Sequence, residues 1–405
     1  MTSTETRDRQ IGVERRLLAG RLDGRLATHL AEYGPLPVLD PKQIVGAARD
    51  AGLTGRGGAG FPVWRKLSAV AATGRPAVVI ANAAEGEPAS GKDKALLGYQ
   101  PNLILDGLQL AARAAGAHSA HLYGPAAALG PLRKLLEARR DALPVTLHAA
   151  PEAFVSGEES AVAAAVAGGP AVPRDKLVRI TESGAGGRPT LVQNVETLAH
   201  LALITRYGPG WFRSAGTAAE PGTFLATVSG AVTAPGVVEV PHGVRLGDLL
   251  AAAGGPSAPL RAVLVGGYHG GWVPADPDLP VSREALAPFG ASPGAGVVLA
   301  LPANACGLRE TARIAGYLAG QTAGQCGPCV NGLPRIAATL TDLAGGRARP
   351  GLPAEVDRLA RLVTGRGACR HPDGTARLVL SALRMFEADC QAHLAGHCLS
   401  LEGTK

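Results

Sequence analysis

Between residues 77 and 149 short apolar runs alternate with helical stretches, and that rhythm is the strongest constraint on how this chain can fold. It predicts a strand over 77–81, a helix over 101–116, a strand around 120–123, then another helix and a strand near 145–149. Strands separated by helices imply a mostly parallel sheet covered by helices. Upstream, residues 11–33 read as one amphipathic helix, with Leu17, Leu18, Leu22, Leu26 and Leu30 at helical spacing and Pro35 and Pro37 ending it. A second helix is expected over about 42–51. From Thr223 the rhythm changes to short strands (223–228, 236–240), a short helix (246–253) and a strand at 262–265. After about 303 the pattern turns helical. The expected division is 1–40, 41–220, 221–302 and 303–405.

Composition narrows the class. Gly 55 and Pro 31 in 405 residues suit a mixed α/β protein with many tight turns. The net charge of +7 is spread thinly, and only 4% of residues are aromatic. That argues against a nucleic-acid binder and leaves an acidic protein partner as the natural match for a basic surface. No apolar run reaches the ~18 residues of a membrane helix, so no span is expected. The polar, acid-bearing segment 1–10 is unlike a secretion signal. All six cysteines lie in the last quarter, two of them as C-x-x-C. This predicts a metal or redox site in a reducing cytoplasm rather than a disulfide framework.

Four stretches carry chemistry. Gly55-Arg56-Gly57-Gly58-Ala59-Gly60-Phe61-Pro62 matches the spacing of a dinucleotide fingerprint, but a helix precedes it where that fingerprint needs a strand. A phosphate cradle of exposed backbone N–H groups, with Lys66 adding positive charge, stands beside a plain surface turn. The run Asn82-Ala83-Ala84-Glu85-Gly86-Glu87-Pro88 follows the 77–81 strand, at the strand end where open α/β sheets place ligands. Its carboxylates can accept hydrogen bonds from ribose or ribityl hydroxyls; a solvated acidic loop is the alternative. Gly157-Glu158-Glu159-Ser160 opens an Ala-rich helix, where acids also favour the helix dipole. Gln193-Asn194-Val195-Glu196-Thr197 is read as a helix start whose amides can meet a ring edge.

Cys326-Gly327-Pro328-Cys329 spells a thioredoxin-type motif without the preceding strand that motif requires. With Cys369 it can instead hold a metal, and spacing alone leaves zinc and an iron–sulfur cluster both open. Cys306 is read as core. Cys390, His397 and Cys398 stay open between a missing cluster ligand, a second metal and buried free thiols.

Taken in order, these stretches resemble the flavin-bearing, NADH-oxidising subunit of respiratory complex I and its hydrogenase and formate dehydrogenase relatives. The similarity covers about residues 40–385. It implies a Rossmann-like α/β flavin- and nucleotide-binding domain, a small β-grasp (SLBB-type) domain and a C-terminal helical iron–sulfur domain. It further implies FMN held by Gly55, Arg56, Gly57, Gly58, Lys66, Asn82, Gly157, Glu158, Asn194 and Thr197. NADH would face Phe61, Glu85, Glu87, Glu159 and Lys176, and Cys326, Cys329 and Cys369 would bind a [4Fe–4S] cluster. Hydride would pass from NADH to the flavin, and single electrons onward to the cluster.

The chain departs from the family pattern in named places. Ala84 stands for an Asp and Gln193 for an Asn, as in related subunits of the sodium-linked Rnf complex. Ala69 and Arg179 replace aromatic residues that stack on the nucleotide, a loss on the order of a kcal/mol or more each. Ala323 stands where the family has its first cluster cysteine. The family's acceptor subunits are not part of this chain, so electrons are expected to leave to a ferredoxin-type carrier or other redox subunits. The expected location is the cytoplasm, with peripheral association to a membrane complex. Two rival readings remain: a flavoprotein relay without NADH, and a cofactor-free assembly or scaffold subunit.

Overall fold

A computed structural model describes residues 16–19, 23–175, 177–345, 347 and 349–402, the side chains of 401 and 402 excepted. The apolar run Ala77–Asn82 forms β1 inside a four-stranded sheet ordered β3-β2-β1-β4. β2 spans Ala117–Pro125, β3 Val145–Ala150 and β4 Thr190–Asn194, and every pairing is parallel. Val78, Val79 and Ile80 are fully buried, as β-branched residues in a strand covered on both faces should be. From β1 the chain winds outward through β2 to β3, then returns to lay β4 on the other edge of β1. The winding direction therefore reverses between β1 and β4, which places a binding crevice at the carboxyl ends of those two strands.

β4 is absent from the strands expected from sequence. Its five residues are too few for alternation to stand out; Gln193 and Asn194 end the strand, and Asn194 also caps the helix that starts at Val195, accepting the Glu196 N–H at 3.0 Å. That helix, Val195–Arg213, packs on the almost wholly buried helix Pro101–Ala115. The long helix expected over 11–33 is also shorter. Leu26–Tyr33 is helical, Leu17 and Leu18 lie buried in a bend, and residues 1–15 and Leu22 fall outside the described residues. Glu239 is the reason. Its Oε2 accepts the N–H groups of Arg16, Leu17 and Leu18 at 2.9, 2.8 and 3.0 Å, while Oε1 accepts the Thr223 hydroxyl at 2.6 Å.

Contacts divide the chain into two units. One runs through Leu225 and includes Glu239–Gly243; the other comprises 226–238 and 244–405. The Glu239 bonds explain why a short piece of a later strand belongs to the first unit. A mixed sheet ordered β6-β5-β9-β7-β8 is built from β5 (Thr223–Gly230), β6 (Gly236–Pro241), β7 (Leu260–Val265), β8 (Gly271–Pro274) and β9 (Val297–Pro302). The helices Gly307–Gly320, Leu333–Ala344, Leu352–Val363, His371–Met385 and Glu387–Leu394 follow. Trp272 of β8 is buried edge-on against Phe386, and its indole N–H donates to Thr311 at 2.9 Å. Sheet and helices thus share one core in the second unit. Among the described residues no helix is long and apolar enough to cross a membrane.

Replacing Glu239 with Gln removes the charge from a buried acceptor of several hydrogen bonds. The expected loss is about 1.5–3 kcal/mol, read as a lower urea midpoint for the first unit. An unchanged midpoint would contradict this account of the N-terminal bend.

Candidate functional site

The last residues of β1 and β4, Asn82 and Asn194, are register partners, so two amide side chains flank the point where the winding reverses. The Asn82 amide donates to the Gly157 carbonyl at 2.9 Å, and its carbonyl oxygen accepts the Ala84 N–H at 3.1 Å. This bond draws residues 154–157 onto residues 82–86, and only glycine permits the approach. A Cβ on Gly86 would lie 2.4 Å from the Phe154 carbonyl oxygen, and one on Gly157 would lie 2.8 Å from that of Ala84. Glu158 then caps the helix Glu159–Val166, accepting from the N–H groups of Ser160 and Ala161 at 2.8 and 3.2 Å and from the Ser160 hydroxyl.

The glycine-rich loop follows the helix Pro41–Asp50, which Asp40 and Gln43 cap reciprocally. It closes through the Gly55 N–H, donated to the Phe61 carbonyl at 2.9 Å. Arg56 fastens the loop from below. Its backbone N–H donates to the Thr197 hydroxyl at 2.9 Å, and its buried guanidinium donates to Thr54 and to the Thr223 carbonyl. Gly57 lies beside the Asn194 side chain. On the open side, Lys66 pairs with Glu159 at 2.8 Å, both partly exposed, and the Phe61 ring is 44% exposed.

Beneath the loop lies a buried ion cluster that sequence reasoning missed. Lys92 Nζ sits 2.7 Å from Asp93, 2.9 Å from Glu196 and 3.3 Å from the Asn194 amide oxygen. The Asn194 amide in turn donates to Asp93 at 2.6 Å. Burial works against the Lys92 charge, yet Asp93 and Glu196 outweigh it and raise the ammonium pKa above its ordinary value. Glu85, whose pKa is raised by burial and by Asp93, accepts the N–H groups of Asp93 and Lys94 at the start of the helix Lys92–Tyr99. Glu87 accepts the Ala89 N–H at 3.3 Å. Lys176 lies outside the described residues.

One buried group next to this cluster lacks a partner. Gln193, one residue before the end of β4, is 4% exposed, and its Nε2 makes no hydrogen bond among the described residues. An unpaired buried amide costs roughly 1–3 kcal/mol. A polar ligand edge at the end of β4 would relieve that cost. The glycine cradle, the surface cation Lys66 and this donor therefore fit a phosphate-bearing planar cofactor.

In the second unit Cys326 and Cys329 stand at the entry to a π-type turn, Pro328–Gly332, that leads into the helix Leu333–Ala344. Such turns occur often at functional sites. Burial opposes the Cys326 thiolate, but the N–H groups of Ala368 and Cys329 and the Cys329 thiol bring its pKa below the ordinary value. Burial and the charge of Cys326 push Cys329 up to about 12, with Cys369 adding to the effect. The fold thus brings all three thiols together, with Ala323 three residues before the first. They fit three corners of an iron–sulfur cluster and leave the fourth without a cysteine from this motif.

Three domain families match successive parts of the chain. The Nuo51 FMN-binding domain family matches residues 48–203, the SLBB domain family 225–267, and the NADH-ubiquinone oxidoreductase-F iron-sulfur binding region 309–393. An NADH-quinone oxidoreductase F-type subunit of Rhizobium meliloti is 31% identical over 375 residues, covering 87% of this chain and 89% of the relative. Its counterpart in Streptomyces coelicolor is 30% identical over 376 residues, covering 88% and 84%. Among solved structures, an NAD+-reducing [NiFe]-hydrogenase in the H2-reduced state superposes with a TM-score of 0.80 at 33% identity. That match covers 88% of this chain and 63% of the hydrogenase chain, so this chain spans under two thirds of it.

Removing the buried cation tests the ion cluster. Lys92→Met leaves Asp93 and Glu196 buried without it, and should cost roughly 3–5 kcal/mol, read as a lower melting temperature. Because the folded pKa of Lys92 is raised, its stabilisation is complete below the ordinary lysine value of 10.5 and is lost as pH rises beyond it. The stability gap between wild type and variant should not narrow as pH rises from about 7 to 9, because Lys92 stays charged and the buried Glu196 left without it only becomes costlier to ionise; a gap closing over that rise would contradict the assignment.

Proposed function

The chain belongs to the F-type family of NADH-quinone oxidoreductase subunits, and from that premise we propose how its own residues divide the work of moving electrons from NADH to an iron–sulfur acceptor. The observation that carries the reading is the pairing of Asn82 with Asn194 at the strand ends, framed by the glycine-rich loop and by Gly157. FMN held there would supply a hydride acceptor for NADH that can also release electrons one at a time.

In this reading the backbone N–H groups of Gly57 and Gly58, with Lys66, receive the flavin phosphate, while Gly55 and Arg56 shape the loop through N–H groups already bonded to Phe61 and Thr197. Asn82, Gly157, Glu158, Asn194 and Thr197 surround the remainder. Arg56, Glu158 and Thr197 act mainly by holding the backbone, because their side chains are committed to it. Phe61 offers an exposed face for the nicotinamide, with Glu85, Glu87, Glu159 and Lys176 around the dinucleotide. Cys326, Cys329 and Cys369 would hold a [4Fe–4S] cluster through their thiolates, and the cluster would supply one-electron transfer.

Electrons then leave to a partner. The family works with other redox subunits, and we assign a ferredoxin or ferredoxin-like protein as the acceptor, since the net charge of +7 favours an acidic partner. The working location is the cytoplasm, peripheral to a membrane complex where one is present. The substitutions Ala69 and Arg179, which remove stacking partners, support the second reading of a flavin relay that does not use NADH. Whether NADH reduces the purified protein separates the two.

The Lys66–Glu159 pair supplies a sharper test. Lys66→Met should weaken FMN binding roughly ten- to a hundredfold, the equivalent of one charge-assisted hydrogen bond. Glu159→Gln should leave FMN bound at least as tightly, because it releases Lys66 toward the phosphate, while lowering NADH turnover. Equal loss of flavin in both variants would overturn the division of roles.

A further inference from the structure

Cys306, His393 and Cys398 meet in the second unit, with one ligand atom from each lying within 4.8 Å of the others. It is the single such group among the described residues. The three side chains are only 7, 3 and 6% exposed. From sequence Cys306 reads as core and His397 as the candidate histidine of the tail; the structure selects His393 and draws Cys306 in.

Three separate elements deliver these groups. Cys306 precedes the first turn of the helix Gly307–Gly320, and His393 lies in the last turn of Glu387–Leu394. Gly396, at φ 86°, reverses the chain so that Cys398 returns beside that histidine. The imidazole is held in the orientation a metal requires. Its Nδ1 lies 3.0 Å from the Leu343 carbonyl, which can only accept, so in the neutral ring the proton sits on Nδ1 and Nε2 is the nitrogen left for a metal. Nε2 points at Cys306 Sγ, 3.5 Å away. The Ser400 hydroxyl lies 3.0 Å from Cys398 Sγ, an outer contact of the kind that orients thiolate ligands.

We infer that Cys306, His393 and Cys398 form a second metal site, distinct from the iron–sulfur cysteines, which binds a zinc-class divalent ion with water in the fourth position. Two thiolates and one neutral imidazole are the donors that borderline-soft ions select, and magnesium or calcium would want oxygen. Two thiolates also cancel the ion's charge, so burying the complex adds no net charge. On binding, two thiol protons leave to solvent and two S–Zn bonds form, with no change of oxidation state. The ion would pin the C-terminal tail to the start of the helix Gly307–Gly320. This inference stands whether or not the flavin and iron–sulfur assignments hold.

Zinc and iron are measured together on the full chain, purified anaerobically under reducing conditions and supplied with Zn²⁺. About one equivalent of zinc is expected, and it should be lost in Cys398→Ser and His393→Gln while iron is unchanged. Because a variant can fail to fold, wild-type apoprotein is also titrated with Co²⁺, which should give an intense near-ultraviolet thiolate charge-transfer band and tetrahedral visible bands. His393→Gln should weaken Co²⁺ binding by more than about tenfold. Zinc content untouched by either variant, iron lost in step with zinc, or no cobalt–thiolate band in the wild type would each overturn the proposal. A Cys306–Cys398 disulfide found by mass spectrometry in place of metal would overturn it as well.

Discussion

The first unit is organised around the buried salt bridges that Lys92 makes with Glu196 and Asp93. Lys92 starts the helix Lys92–Tyr99, Asp93 follows it, and Glu196 opens the long helix Val195–Arg213. Through Asn194 the cluster reaches the end of β4, and Glu196 also receives the Leu225 N–H at 2.9 Å. Arg56 lies 4.0 Å from Glu196 and carries the glycine-rich loop. A buried pair of this kind is a weak source of net stability, because desolvation offsets the attraction. Its value here is register: the glycine-rich loop, the start of the helix Lys92–Tyr99, the end of β4 with the helix it leads into, and Leu225 share one set of charges.

Above that layer the chemistry is carried by groups that the fold leaves only partly engaged. Lys66 and Glu159 satisfy each other at the surface, an interaction worth little on its own and easily exchanged for a phosphate. Gln193 keeps a buried amide nitrogen without a partner among the described residues, and Phe61 exposes its ring. A fold that closed all of these internally would gain stability and lose its site. The same logic separates the two cysteine groups of the second unit. Cys326, Cys329 and Cys369 interact without converging on one point, as a multi-iron cluster requires, whereas Cys306, His393 and Cys398 converge on a space for a single ion.

Much of this was legible in the residues. The strands β1, β2 and β3, the helix Pro101–Ala115 and the glycine-rich loop announce themselves through apolar runs and spacing. What stayed hidden is what depends on long-range pairing. β4 is short, and without it the switch point cannot be drawn. Lys92 and Asp93 sit in an ordinary polar stretch, and only the fold places them under Asn194. The N-terminal leucines follow helical spacing, yet Glu239, more than two hundred residues away, takes their N–H groups. His393 belongs to no recognisable spacing with Cys306, since the turn at Gly396 and the packing of three helices bring them together.

The most direct test of the central claim, that this chain couples a nucleotide-reduced flavin to iron–sulfur, is one anaerobic absorbance titration of the intact protein with NADH. The account predicts flavin bands over a broad iron–sulfur shoulder, both bleaching as NADH is added. Flavin bands that persist unchanged in excess NADH would contradict it, as would flavin bleaching while the iron–sulfur shoulder stays oxidised.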